Sequence, residues 1–143
     1  MRAIFTRAVG LPLAAIFAMQ TALTMGAYAF PVIMPVAAQD LGIAPESVGF
    51  LVATIYLVAM GVGLASGWAL ARLGPTRVFQ ALLGLSAAGA LVLTAGYAWA
   101  AFAAAVLVGC STGAMNPAGS TVLVRVATPD TRALIFSLKQ CGT

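Results

Sequence analysis

Polar side chains able to bind a solute occur inside long apolar stretches of this sequence. Gln20, Thr24 and Tyr28 follow one another at intervals of four residues, so that they share about one face of a helix. Asn116 lies in a later apolar stretch. Amides and hydroxyls at such positions are candidates for solute contacts, although bonds to their own helix or to a neighbouring helix are the alternative. The amides of Gln20 and Asn116 are the stronger candidates, because an amide needs several partners.

Lys139 brings a positive charge to the last apolar stretch, which begins at about Ala133. Its long side chain can reach back to the aqueous surface. Alternatively, its ammonium group faces a water-filled path and attracts a small organic anion. The sequence leaves both positions open.

Acid–base, metal and nucleotide chemistry have little support in the sequence. The chain has no His and three Asp or Glu, and none of these acids lies in an apolar stretch. Cys110 and Cys141 lack the spacing of metal ligands, and no phosphate-binding glycine loop occurs. The seven Lys or Arg residues are scattered rather than clustered as nucleic-acid binding requires. We therefore expect no enzyme, no cofactor, no metal and no nucleic-acid partner.

The composition indicates a membrane protein. Of the 143 residues, 62% are hydrophobic and 7% are charged, against about 45–50% and about 25% in soluble domains. A helix needs about 20 mostly apolar residues to cross a bilayer. We expect an all-α, polytopic chain in contact with lipid, with four transmembrane helices and the start of a fifth from about residue 133. The four expected spans are approximately residues 11–38, 47–70, 78–98 and 101–123.

Charge placement predicts the orientation of these spans. Basic residues concentrate on the cytoplasmic side of membrane proteins, and an even number of crossings separates each basic group from the next. The amino terminus is therefore expected to be cytoplasmic. A cleaved signal peptide ending near residues 27–29 is a weaker alternative. The basic groups are Arg2 with Arg7, Arg72 with Arg77, and Arg125 with Arg132, whereas the loop between spans one and two carries Asp40 and Glu46.

Small residues and one proline predict how the helices pack. Small residues repeat every fourth position in spans two and four, and such stripes permit close helix contact. Pro117, directly after Asn116, removes a helix hydrogen bond and is expected to bend or interrupt span four. The two stripes are Ala59, Gly63 and Gly67 in span two, and Ala105, Gly109 and Gly113 in span four.

The loop after span two resembles the signature loop between helices two and three of the major facilitator superfamily. Gly67, Arg72 and Gly74 fit the family pattern, and Arg77 supplies a basic residue slightly late. Ala71 stands where the family has an Asp that helps to latch the cytoplasmic gate. The resemblance therefore predicts a gate loop that lacks this acidic contact.

Residues 30–43, 48–49 and 109–140 resemble the same family. The resemblance implies a fold of twelve helices, of which residues 1–143 would be one incomplete domain that needs the remaining helices as its partner. It also implies a secondary active transporter that moves a small solute across the inner, cytoplasmic membrane by alternating access. The alternative is a complete four-span protein with a structural or assembly role. Helices one, four and five of the family line the solute path, which makes Gln20, Thr24, Tyr28, Asn116 and Lys139 its candidate residues.

Overall fold

The chain forms a bundle of α-helices in a computed structural model that describes residues 7–129 and 131–141, with side chains from Val9 onward. The described part contains no strand, which confirms the all-α prediction. Arg2 lies outside the described residues. Three helical regions are long and apolar enough to cross a membrane: Val9–Asp40, Ser47–Leu93 and Ala98–Val126. The helices are α1 (Arg7–Asp40), α2 (Ser47–Leu93), α3 (Ala98–Gly113), α4 (Met115–Val126) and α5 (Arg132–Gln140).

Helix α2 doubles back on itself at Gly74. This glycine has φ 76° and ψ 159°, a conformation that side chains with a Cβ atom rarely adopt. Leu51 and Leu93 would lie about 63 Å apart in a straight helix, yet both pack on the same apolar cluster. Helix α2 is therefore a hairpin of two limbs, residues 47–73 and 75–93, and its reversal falls between the second and third expected spans.

Two apolar clusters hold the bundle together. The Phe79 cluster lies towards the end of the bundle where α2 reverses, and it joins α1 and α2 to α4 and α5. The Phe30 cluster joins α1 and both limbs of α2 to α3 near the opposite end. The Phe79 cluster contains Ile16, Leu23, Val78, Phe79, Leu82, Ala114, Met115, Ala118, Leu123 and Ile135, and the Phe30 cluster contains Phe30, Met34, Leu51, Ile55, Ala101, Ala104, Ala105 and Val108.

Small residues bring α3 against the first limb of α2 at backbone distance. A Cβ atom added at Gly109 would lie 2.7 Å from the carbonyl oxygen of Ile55, and one added at Gly113 would lie 2.5 Å from that of Ala59. Gly63 faces the carbonyl oxygen of Gly113. The two predicted stripes therefore meet each other. The predicted helix contact is not found for Gly67, where an added Cβ would have no neighbour within 4 Å among the described residues.

The outer surface of the bundle is apolar, as a lipid environment requires. Leu64 is 84% exposed and Phe50 is 78% exposed, and such side chains would be costly in water. The region Ala98–Val126 is the most enclosed of the three long helical regions. It therefore occupies the centre of the described bundle.

Candidate functional site

The central helical region is interrupted at the position of Asn116. Ala114 separates α3 from α4 with φ −98° and ψ 0°, and Pro117 has no N–H to donate to the carbonyl oxygen of Gly113. The predicted interruption near Pro117 is therefore confirmed. Asn116 is exposed although it belongs to the most enclosed region, since it borders a groove in the described bundle.

Lys139 of α5 reaches across to α4 and donates three hydrogen bonds. Its Nζ atom lies 3.1 Å from Oδ1 of Asn116, 3.3 Å from the carbonyl oxygen of Asn116, and 3.1 Å from Oγ of Ser120. These three bonds use every proton of the ammonium group. The residue is 3% exposed. Within the described part of the chain, the ammonium group of Lys139 is therefore directed to α4 and away from the aqueous surface.

Gln20 of α1 also belongs to this polar cluster. Its Nε2 atom donates to Oδ1 of Asn116 at 3.3 Å, and the residue is fully buried. Lysine cannot accept a hydrogen bond, so the Asn116 atom that faces Lys139 is the oxygen. Gln20 must then turn its NH₂ group towards that oxygen. As a result, Oε1 of Gln20 has no partner among the described residues, and neither has Oγ1 of Thr21.

Gly119 makes room for this cluster and was missed in the sequence. A Cβ atom at Gly119 would lie 3.2 Å from Cε of Lys139, 3.2 Å from Cγ2 of Ile16 and 3.5 Å from Cδ of Gln20. Its spacing could have identified Gly119 from the sequence, since a residue three positions after Asn116 lies on the same helix face. The role of Ser120 as an acceptor for Lys139 was likewise not predicted from the sequence.

A groove of about 340 Å³ opens beside Asn116, between α1, the first limb of α2 and the junction of α3 and α4. Thr24, Tyr28 and Asn116 line it, whereas Gln20 and Lys139 contact Asn116 without lining the groove. Thr24 donates to Sδ of Met115 at 3.8 Å, and Tyr28 is 59% exposed. Tyr56 also lines the groove and was missed in the sequence. The complete lining is Thr24, Ala27, Tyr28, Pro31, Val52, Ile55, Tyr56, Ala59, Thr112, Gly113, Met115 and Asn116.

Most hydroxyls of α3 and α4 serve their own helices. Ser111 donates to the carbonyl oxygen of Val108 at 2.7 Å, and Thr121 donates to that of Pro117 at 2.9 Å. Thr112 lines the groove, but its hydroxyl proton is directed to carbonyl oxygens one turn earlier. These hydroxyls bond to their own helices, which was the alternative to solute contact. The contacts between helices in the polar cluster come instead from the amides of Gln20 and Asn116 together with Lys139.

The predicted gate-loop residues lie at the reversal of α2, apart from the polar cluster. Gly74 forms the break itself. The guanidinium carbon of Arg72 lies 5.0 Å from the ring centre of Trp68, close enough for a cation–π contact. Gly67 and Arg77 are exposed. The structure therefore groups Arg72, Gly74 and Arg77 at one end of the hairpin.

The apolar helices define a multi-pass membrane protein. A family model described as Major Facilitator Superfamily matches residues 16–143, which is most of the chain. The chain therefore belongs to the major facilitator superfamily, a family of membrane transporters. Comparison with curated proteins and with solved structures gave no match.

Proposed function

We propose that these helices belong to a secondary active transporter that moves a small solute by alternating access. The supporting observation is the groove beside Asn116, which lies where the central helix is interrupted. Solute sites of secondary transporters are typically formed by discontinuous helices near the middle of the membrane. The groove is also of the size that takes a small molecule. The solute would contact Thr24, Tyr28 and Asn116. Gln20 and Lys139 would hold the side chain of Asn116 in place through their hydrogen bonds to its Oδ1 atom.

The same proposal includes four crossings of the cytoplasmic membrane with a cytoplasmic amino terminus. The two limbs of α2 would cross separately, since each is long enough to cross about 30 Å of hydrocarbon. Arg72 and Arg77 lie at the reversal of α2, and Arg125 and Arg132 flank the turn between α4 and α5. These positions support a shared cytoplasmic side. We also propose that the gate loop contains Arg72, Gly74 and Arg77, because all three residues lie at this reversal.

Solute counterflow in liposomes tests the transport proposal. The wild type and the variant Asn116→Ala, each expressed from the complete reading frame, are reconstituted into liposomes. Counterflow is then measured for a panel of labelled metabolites. We expect saturable counterflow of at least one metabolite and its loss in Asn116→Ala, which removes the only side-chain amide among the described residues that line the groove. Thr54→Ala serves as the control, because the Thr54 hydroxyl bonds only within its own helix. Folded protein without saturable counterflow would contradict the proposal and favour a structural or assembly role.

A further inference from the structure

Asn116 presents hydrogen-bond donors to the groove. Its Oδ1 atom already accepts from Gln20 and Lys139, which fixes the orientation of the amide. The Nδ2 atom is therefore on the opposite side from these two donors, and it has no partner among the residues that the structure describes. Because Asn116 is exposed and lines the groove, its NH₂ group is available to a ligand. A ligand at this point must offer an acceptor.

The charge behind Asn116 favours a negatively charged acceptor. Lys139 is bound by three neutral oxygens, and it forms no ion pair within the described part of the chain. The carboxylates in that part are Asp40 and Glu46, which flank the loop between α1 and α2. Donation by Lys139 to Oδ1 polarises the amide and strengthens its NH₂ donors, since hydrogen bonds in series reinforce one another. The positive charge also repels a cationic ligand.

The remaining lining of the groove suits the apolar part of a small molecule. Pro31, Val52 and Ile55 provide an apolar wall, and the rings of Tyr28 and Tyr56 add aromatic surface with hydroxyl donors. None of the described residues that line the groove is acidic. The groove therefore combines donors at one point with apolar and aromatic surface around it.

We propose that the groove binds a small organic acid whose carboxylate accepts hydrogen bonds from Nδ2 of Asn116. Lys139 is a positioning residue that acts through Asn116, since its own protons are already engaged and it does not line the groove. This inference rests on the proposed function, which places the solute in this groove. It replaces the expectation that Lys139 attracts the anion directly.

The substitution Asn116→Asp separates a ligand-binding role of Asn116 from a structural one. Aspartate has the same shape and keeps an acceptor for Gln20 and Lys139, and it adds an ion pair with Lys139. The fold should therefore be retained, with an unfolding midpoint equal to or above that of the wild type. The variant loses the NH₂ donors and places a negative charge beside the groove. We expect the affinity for carboxylates to fall about 10- to 100-fold, as for loss of a hydrogen bond to a charged group.

Equilibrium binding to the purified protein in lipid nanodiscs measures this effect. The probes are acetate, lactate, benzoate and succinate, the matched amides acetamide, lactamide, benzamide and succinamide, and the amine benzylamine. We expect at least one acid to bind at least about tenfold more tightly than its amide, with benzylamine weakest and Thr54→Ala unchanged. The inference is overturned if no acid binds more tightly than its amide. It is equally overturned if Asn116→Asp binds the acids like the wild type.

A second pair of variants tests the positioning role of Lys139. Lys139→Arg keeps a cation that can donate to Asn116, whereas Lys139→Met removes it. We expect Lys139→Arg to retain most of the preference for an acid over its amide and Lys139→Met to lose it. Equal preference in both variants would contradict the role of Lys139. These titrations measure binding and do not depend on transport. Binding of an acid without counterflow would therefore contradict the transport proposal and leave the organic-acid proposal standing. Counterflow of a solute that has no carboxylate would contradict the organic-acid proposal and leave the transport proposal standing.

Discussion

Lys139 shows how a buried charge can be tolerated without an ion pair to any of the residues that the structure describes. An ammonium group taken out of water loses several kcal/mol of hydration, and here three oxygens of Asn116 and Ser120 replace the water. These oxygens solvate the charge without neutralising it. Among the described residues, the polar cluster of Gln20, Asn116, Ser120 and Lys139 therefore carries an uncompensated positive charge next to the groove.

Lys139→Gln should impair the uptake of organic anions by the reconstituted protein translated from its complete reading frame. A glutamine can still bond to α4, but it lacks the charge that polarises Asn116. We expect the initial uptake rate at low anion concentration to fall about tenfold, as for weakening of one charge-assisted hydrogen bond. Labelled uptake into liposomes measures the rate, and protease protection verifies insertion. Uptake kinetics equal to those of the wild type would remove the role given to Lys139.

At the scale of the helices, small residues decide how closely α3 approaches α2. Gly109 and Gly113 place backbone against backbone, and between membrane helices such close packing supplies much of the association energy. Gly113 also lines the groove. The contact between α3 and the first limb of α2 therefore shapes one wall of the proposed solute site.

Gly113→Ala should destabilise the protein, whereas Gly61→Ala should not. The added Cβ at position 113 would lie 2.5 Å from the carbonyl oxygen of Ala59, so that backbone must move. We expect a loss of about 1–3 kcal/mol in the free energy of unfolding, as in overpacked cores. Gly61 has open space for a Cβ, and alanine there should be neutral or stabilising by up to about 1 kcal/mol.

Unfolding in mixed detergent micelles measures both variants against the wild type. Equal stability of Gly113→Ala and Gly61→Ala would contradict the close contact between α3 and the first limb of α2.

For the whole molecule, the hairpin of α2 carries the proposed number of bilayer crossings. A single straight helix of 47 residues would be about 70 Å long, more than twice the hydrocarbon thickness of about 30 Å. The break at Gly74 and the packing of both limbs on the Phe30 cluster instead return the chain to the side from which α2 begins. The proposed two crossings by α2 would place Arg72 and Arg77 on the side opposite to Asp40 and Glu46.

Single cysteines should report this arrangement. In a background with Cys110→Ser and Cys141→Ser, we expect Thr76→Cys to react with a membrane-impermeant maleimide from the cytoplasmic side. Ala44→Cys and Ala95→Cys should react from the opposite side. All three positions are exposed, so labelling depends on sidedness. Comparison of right-side-out and inverted vesicles measures it. Labelling of Thr76→Cys and Ala44→Cys from the same side would contradict separate crossings by the limbs of α2.

The amino-acid sequence was sufficient for the features that depend on local composition and spacing. Apolar stretches predicted the helices, the glycine stripe predicted the contact at Gly109 and Gly113, and Pro117 predicted the interruption beside Asn116. The motif around Gly67, Arg72 and Gly74 was sufficient to suggest the family. These properties are local because each depends on residues within a few helical turns.

Only the tertiary structure could decide which polar groups meet. Gln20 and Asn116 are separated by 96 positions in the chain, and no periodicity relates them. The direction of Lys139 depends on the space left by Gly119 and on the acceptors that α4 offers, so its side chain turns inward instead of towards water. Tyr56 joins the groove because the first limb of α2 packs beside α1 and α3. The candidate site is therefore a property of helix packing, since its residues come from all five helices of the described bundle.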